Sequence, residues 1–325
     1  MTEPLTTRLA GGSEFDRIRA IARALGPAAS GLGDDCAIVT VGAETLALST
    51  DTSVDTVHFR RAWLEPREIG WRAAAAALSD LAAVGAEVIG VLVAVTVPAS
   101  EPESVTVDVM RGVGEATMSV GGRVLGGDLS RGDTLSIGVT VVGRVDRPIR
   151  RSGAAPGDRL WVTGSVGAAR AALVAWEHGV EPEPAWRAVF AKPAPRIGAA
   201  RWLAGHGARA MIDLSDGIAS DAAHLAAANV LSVEIELESL PMADGIARAA
   251  ELAGEAPQIF AALGGEDYEL LVALPPEFGP GDAARFTAAA GIPLTPVGTF
   301  SKGQAGVRLV WHGSVLELHG YDHFA

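Results

Sequence analysis

The stretch GLGDDCAIV, residues 31–39, sets two aspartates side by side between a glycine turn and a short apolar run. Cys36, Ala37, Ile38 and Val39 read as the start of a buried strand, with Asp34 and Asp35 at its mouth. Adjacent like charges repel, and a strand entrance is a poor place to hide them. Their placement raises the question of what they face.

Outward from this point the chain alternates strand-like and helix-like runs. Residues 13–25, SEFDRIRAIARAL, place Phe15, Ile18, Ile21 and Leu25 at helical spacing, with Ser13 as a cap and Gly26-Pro27 as the stop. Strands are expected over 36–41 and 45–50, then a polar loop, TDTSVDTVHFRRAW. A helix over 66–84 starts at Pro66, a strand rich in β-branched residues covers 88–97, and a helix covers 102–118. GGRVLGGDLSRGD then leads into a long strand at 134–145. RPIRRSGAAPGDRL, residues 147–160, is a link punctuated by proline and glycine, so one domain is expected over 1–148 and a second over 149–325. The second half mixes helices and strands without strict βαβ alternation, which favours an α+β fold over a doubly wound sheet.

The formal net charge is −13, and no Lys/Arg cluster beyond residues 147–151 offers a basic face, so no nucleic-acid partner is expected. The apolar runs are shorter than the ~20 residues of a membrane span, and the first residues lack the pattern of a secretory signal. A cytoplasmic protein without a membrane partner is expected. Cys36 is the single cysteine, which excludes an internal disulfide and a cysteine-rich zinc site. The two lysines, Lys192 and Lys302, neither follow a glycine-rich loop nor precede Ser/Thr, which excludes a Walker-type phosphate loop.

Acids recur at loops and element ends. Asp51 follows Ser49 and Thr50; Asp128 follows two glycines; Asp213, Ser215 and Asp216 mark a strand-to-helix turn; Glu266 and Asp267 follow another glycine pair. Each alone reads as a turn or a helix cap. Asp80 does not: it sits in an alanine- and leucine-rich helix, where a carboxylate faces a desolvation cost unless paired. With so few lysines, a divalent cation is a natural partner. Hydroxyls beside carboxylates suit Mg2+, and glycine pairs let backbone approach phosphate. Together these point to Mg2+ and a polyphosphate.

The ordered segments SEF, GLGDDCAIV, LSTDTSVDTVHF, ALSDLAAVGA, GGDLSRG, RSGAAPGD, VTGSVG, MIDLSDGIASD, GGEDYEL and GYDHF resemble the thiamine-monophosphate kinase family of the aminoimidazole-ribotide-synthetase-like superfamily. The resemblance runs from about residue 13 to the end; Ser13 stands where the family usually has glycine, and the first dozen residues match nothing. It implies a two-domain fold, a homodimer in which the N-terminal domains pair their sheets, and ATP-dependent phosphorylation of thiamine phosphate. By this resemblance Asp35, Ser49, Thr50, Asp51, Asp80, Asp128, Asp213 and Asp216 would hold several Mg2+ ions. Gly127, Asp128, Arg151 and Ser215 would contact ATP, and His58, Glu266 and Tyr321 would contact thiamine phosphate. Phosphoryl transfer needs positioning and charge neutralisation, and the acceptor oxygen is already ionised, so no general base is expected and transfer should be direct and in line.

Other superfamily members, selenide-water dikinase, the hydrogenase-maturation dehydratase and aminoimidazole-ribotide synthetase, are the alternatives. The first two need a reactive cysteine or selenocysteine near a terminus, whereas Cys36 sits in an apolar strand. The synthetase typically carries a glycine-rich threonine/lysine motif where this chain has STDTSVDTVHF. A non-catalytic nucleotide- or metal-binding scaffold would have lost acids from the set, which looks complete.

Overall fold

The apolar run after Asp35 is a strand and opens the first of two sheets, but it is a mostly exposed edge strand and not the buried one expected. The computed structural model describes residues 8–29 and 31–316. After α1 (Ser13–Leu25), whose N-cap is Gly12 rather than Ser13, come β1 (Ala37–Val41), β2 (Glu44–Val54), α2 (Pro66–Ala83), β3 (Glu87–Val97), α3 (Glu103–Ser119), β4 (Arg123–Arg131) and β5 (Ser136–Arg144). The strands form one sheet in the order β1-β2-β5-β3-β4, antiparallel except for the β3–β4 pair. The expected strand at 45–50 runs on to Val54, so Asp51 lies within a strand and not after it. The segment expected only as a lead-in is β4, an edge strand exposed throughout.

α2 is the hub of this half. Pro66 opens it, the Glu68 carboxylate accepts the backbone N–H of Glu65 at 3.0 Å, and its small residues let other elements come close. At Gly70 a Cβ would stand 1.8 Å from the Val109 carbonyl oxygen of α3, and at Gly112 one would stand 1.9 Å from that of Arg67, so the two helices touch backbone to backbone. One face of the sheet is buried beneath them through Val91, Val93, Ile137, Val139 and Val141. The pairing register puts Val39, Thr50 and Leu92 on the opposite face, where Val39 and Leu92 are exposed.

The second half contains β6 (Arg159–Thr163), α4 (Ala168–Glu177), α5 (Pro184–Ala191), α6 (Ile197–Gly205), β7 (Ala210–Asp213), α7 (Ile218–Asn229), β8 (Ser232–Glu236), α8 (Ile246–Ala253), α9 (Pro257–Ala262), β9 (Leu270–Leu274), α10 (Pro280–Ala290), β10 (Leu294–Ser301), β11 (Gly306–Trp311) and β12 (Ser314–Leu316). Its sheet runs β12-β11-β8-β10-β6-β9-β7, with only β11 and β8 parallel. Two mixed sheets with helices packed outside strict βαβ units make the fold α+β. The central strands are covered on both faces. In β9, Leu270, Val272 and Leu274 join a core continuous with that of the first half, while Leu271 and Ala273 join a separate core with α7. α2 also packs on α5, α6 and β7, which brings the C-terminal end of β7 beside Asp80. Among the described residues no helix is long and apolar enough to cross a membrane.

Candidate active site

Three acids from distant parts of the chain converge where the halves meet. Asp35 precedes β1, Asp80 lies near the end of α2 and Asp213 ends β7; each offers a carboxylate oxygen, and these oxygens lie within 4.8 Å of one another. Asp51 joins them electrostatically from β2. Burial disfavours the ionised forms of Asp51, Asp80 and Asp213, and for the last two the neighbouring carboxylates add to it. Desolvation, then Asp51, Asp213 and Asp35, hold the Asp80 carboxyl well above its ordinary range. Burial raises Asp51, and burial with the charge of Asp35 pushes Asp213 up to about 7.

The cluster is short of positive charge. Arg151 donates to Asp35 Oδ1 through Nη2 at 2.6 Å and Nε at 3.2 Å. Burial opposes its charge, but Asp35 and Asp34 hold the guanidinium above its ordinary value. Asp35 Oδ2 is buried without a hydrogen-bond partner among the described residues, and Asp80 Oδ2 accepts from Ser49 Oγ at 2.5 Å. A buried acceptor with nothing to accept, among further carboxylates, is an oxygen-only donor set that suits a hard divalent cation such as Mg2+.

Asp34 has a different partner set. Its Oδ1 accepts the backbone N–H groups of Asp35 at 3.2 Å and Arg151 at 3.1 Å, and Oδ2 lies 3.5 Å from Arg150 Nη1. The two adjacent aspartates divide the work: Asp34 fastens the first strand to the inter-sheet link, and Asp35 turns into the cluster. Cys36 is a packing residue: it is 2% exposed, its thiol lies 3.3 Å from the Asp80 carbonyl oxygen, and burial raises its pKa well above the usual range.

Beside the acids lies a cavity of about 490 Å3 lined from both halves. Asp51, His58, Asp80, Asp213, Ser215, Asp216 and Glu266 border it, so seven of the sequence-derived site residues share one space. His58 sits in the turn after β2, and its Nδ1 accepts the Val54 N–H at 3.1 Å, which directs Nε2 to other partners. The glycine loop before Glu266 lies on the Ser215 turn: Glu266 N–H donates to the Ser215 carbonyl at 2.8 Å, and a Cβ on Gly265 would come within 2.5 Å of that oxygen.

Other expected residues are placed elsewhere. Thr50 points to the opposite face of β2 from Ser49 and Asp51, with its hydroxyl 3.1 Å from that of Thr140. Gly127 and Asp128 lie on the exposed edge strand β4; Asp128 accepts from Ser130 Oγ at 2.8 Å, and a Cβ on Gly127 would meet the Val93 carbonyl oxygen at 1.9 Å. Tyr321 lies outside the described residues.

The sequence reading passed over Arg72 of α2, which is 3% exposed and lines the cavity. Its guanidinium pairs with Glu266 Oε1 and donates to the Phe190 carbonyl. The signal is in the sequence: Arg72 and Asp80 are the two charges in an otherwise apolar run of one helix.

The chain is similar to known proteins along most of its length. The model for the AIR synthase related protein N-terminal domain matches residues 33–145, and that for the C-terminal domain matches residues 155–310. The thiamine-monophosphate kinase of Salmonella typhimurium is 33% identical over 96% of this chain and 96% of the relative. The chain belongs to the thiamine-monophosphate kinase family. The kinase of Escherichia coli K12 is 33% identical over 91% of this chain and 92% of its own length. The solved structure of AaThiL complexed with AMPPCP and TMP superimposes with a TM-score of 0.86 at 31% identity, covering 96% of this chain and 97% of the other. The hydrogenase maturation protein HypE, at 18% identity and a TM-score of 0.73, shares the fold.

Proposed function

We propose that this chain transfers the γ-phosphoryl group of ATP to thiamine phosphate, giving thiamine diphosphate and ADP, with Mg2+ held at the acid cluster. The observation that carries this reading is the convergence of Asp35, Asp80 and Asp213 beside a cavity lined by both halves. The family kinship and the likeness to AaThiL, solved with AMPPCP and TMP, support it.

Asp35, Asp51, Asp80 and Asp213 would hold Mg2+ with Ser49 and Asp216; the resemblance adds Thr50 and Asp128, which lie on the opposite face of β2 and on the edge strand β4. Bound there, Mg2+ supplies the positive charge that lets two anionic phosphates approach. The residues of the chain then bind and orient. Arg151, Gly127, Asp128 and Ser215 serve the nucleotide. His58 and Glu266 serve the acceptor, with Tyr321 offering a ring face to its heterocycle. Because the acceptor oxygen is ionised at neutral pH, no side chain need act as general base, and transfer is direct and in line.

We place the domain boundary at residue 149. We also place a homodimer contact on the exposed face of the first sheet, where Val39 and Leu92 leave apolar surface uncovered, and we place the protein in the cytoplasm. The dehydratase and dikinase readings lose support because Cys36 is buried and its thiol is held protonated.

The test is incubation of the purified chain with ATP, thiamine phosphate and Mg2+, followed by chromatography. Thiamine diphosphate should appear one for one with ADP and vanish on chelation, and γ-labelled ATP should leave no label on the protein. Absence of thiamine diphosphate from an active-metal reaction rejects the assignment; labelled protein rejects direct transfer.

A further inference from the structure

Arg72 makes more contacts than a strut between helices needs. Its side chain is 4% exposed, so its charge is taken out of water and each partner carries weight. Nη2 pairs with Glu266 Oε1, Nη1 donates to the Phe190 carbonyl of α5, and Nε lies 3.4 Å from the His58 carbonyl. The guanidinium also stacks 3.8 Å above the Phe190 ring. One side chain from the first half therefore binds the His58 turn, α5 and the glycine loop of the second half.

The pair with Glu266 is one-sided. Only Oε1 is engaged; Oε2 has no partner among the described residues, and the Glu266 side chain is 30% exposed where it borders the cavity. The backbone is held as well. Glu266 and Tyr268 have φ of 67° and 50°, a left-handed conformation that non-glycine residues adopt at a cost. The bonds from Glu266 N–H to the Ser215 carbonyl and from Tyr268 N–H to the Leu214 carbonyl, at 2.8 and 2.9 Å, fix that conformation. A strained backbone with one oxygen tethered and the other free is an acceptor aimed in advance of a ligand.

Arg170 differs in what it leaves to its acid. Arg170 also lines the cavity, stacks on Phe260 and donates to its carbonyl at 2.9 Å, but its terminal nitrogens engage both oxygens of Glu255 at 2.8 Å, so its acid has neither oxygen left for a ligand.

We propose that Arg72 is a positioning residue for acceptor recognition: it holds Glu266 by one oxygen, leaves the other for a hydrogen-bond donor of the acceptor's aminopyrimidine, and ties that contact to the His58 turn. The proposal rests on the reading that the cavity receives thiamine phosphate. Arg72 acts through Glu266 and through the closure of the two halves, so its loss falls on the acceptor and not on the nucleotide.

The test uses Arg72→Met, which keeps length and packing over Phe190 without the charge, and Arg72→Lys, which restores a cation. Steady-state kinetics are run with each substrate varied, and thiamine phosphate binding is measured by calorimetry without ATP. In Arg72→Met the KM for thiamine phosphate should rise at least tenfold, with weaker binding to match, while the KM for ATP changes less than twofold. Arg72→Lys should recover most of the loss. On a Glu266→Gln background, Arg72→Met should add less than twofold, since both changes remove the same contact. Should the Met variant not fold, Arg72→Gln, neutral but able to bond the Phe190 carbonyl, carries the same expectation.

An unchanged requirement for thiamine phosphate overturns the proposal. So does an equal rise for both substrates, or full additivity with Glu266→Gln; either leaves Arg72 a structural strut. A parent protein that makes no thiamine diphosphate would instead reject the assigned reaction, so the two failures are distinguishable.

Discussion

Two groups of buried carboxylates in this molecule differ in one respect. Glu269 accepts from Thr163 Oγ1 at 2.6 Å and pairs through both oxygens with Arg196. Asp158 takes Arg209 Nη1 at 2.7 Å and the Ala155 N–H at 2.8 Å. In these cases both oxygens are occupied. At the cleft, Arg151 acts on Asp35 and Asp213, Asp51 and Asp80 add further acid beside them, and Asp35 Oδ2 has no hydrogen-bond partner among the described residues. Burial alone does not separate a structural acid from a functional one. The count of opposing charges and donors does: a satisfied acid holds the fold together, and an acid in surplus is a demand for a ligand.

The largest expected effect tests the unsatisfied group. Asp80→Asn removes a charge from a site that already has too many, so the metal-free protein should fold at least as well as the parent. Turnover should nevertheless fall by about 10³ or more, roughly 4 kcal/mol of transition-state stabilisation. Urea unfolding under chelation and steady-state kinetics at saturating Mg2+ give the two readings. A variant that unfolds yet keeps its specific activity would erase the distinction between the groups.

The converse change belongs to the satisfied group. Arg196→Ala leaves Glu269 buried, with Thr163 as its remaining side-chain partner, and should cost about 3 kcal/mol of stability, as for other broken buried pairs. Activity per folded molecule should stay within a few-fold of the parent. A large loss of turnover at unchanged stability would move Glu269 into the functional group.

Mg2+ itself sharpens the contrast. A ligand that binds only the folded state at about a hundred times its dissociation constant adds about 2.7 kcal/mol. Thermal unfolding with Mg2+ and with chelator should show this gain in the parent and in Arg196→Ala, and its loss in Asp80→Asn. Equal gains in all three would place the metal elsewhere.

How far such distinctions could be read beforehand depends on the residue. Asp80 was legible because a charge in an apolar helix violates a local rule, and GLGDD because two adjacent charges do. Arg72 broke the same rule in the same helix, but its partners Phe190 and Glu266 are 118 and 194 positions away, and no local pattern reports them. The α+β class followed from the mixture of elements, whereas β4 escaped because RVLGGDLSR has two central glycines and, as an exposed edge, no inward alternation. α9 escaped because Pro257–Ala262 is too short to show a helical period. Thr50 illustrates a third limit. Adjacent strand residues face opposite ways, so Ser49, Thr50 and Asp51 cannot all direct their side chains to one site, and that was visible only once β2 was seen to continue through them.

The smallest effect concerns Asp267, which lies between the two groups. Both its oxygens accept backbone N–H groups, from Gly167 at 2.7 Å and Ala169 at 3.3 Å at the start of α4, so it is a satisfied acid; but it has no ion pair among the described residues. Burial pushes its pKa up to about 7 against the pull of those two donors, from an ordinary value of 3.8. Between pH 4 and 7 the folded chain therefore holds a proton that the unfolded chain has released. Stability from this group must fall as pH rises through that window, by at most about 1.4 kcal/mol per pH unit, and level off above it. Asp213 contributes a slope of the same sign, so the parent's slope under chelation belongs to more than one group. Asp267→Asn isolates one part of it: the amide is neutral throughout, and its oxygen can still accept from Gly167. Urea unfolding at pH 5 and pH 7.5 under chelation should show a shallower decline in the variant than in the parent. If the two slopes coincide, the donors of α4 hold Asp267 ionised without help from a cation, and two backbone N–H groups suffice to count an acid as fully satisfied.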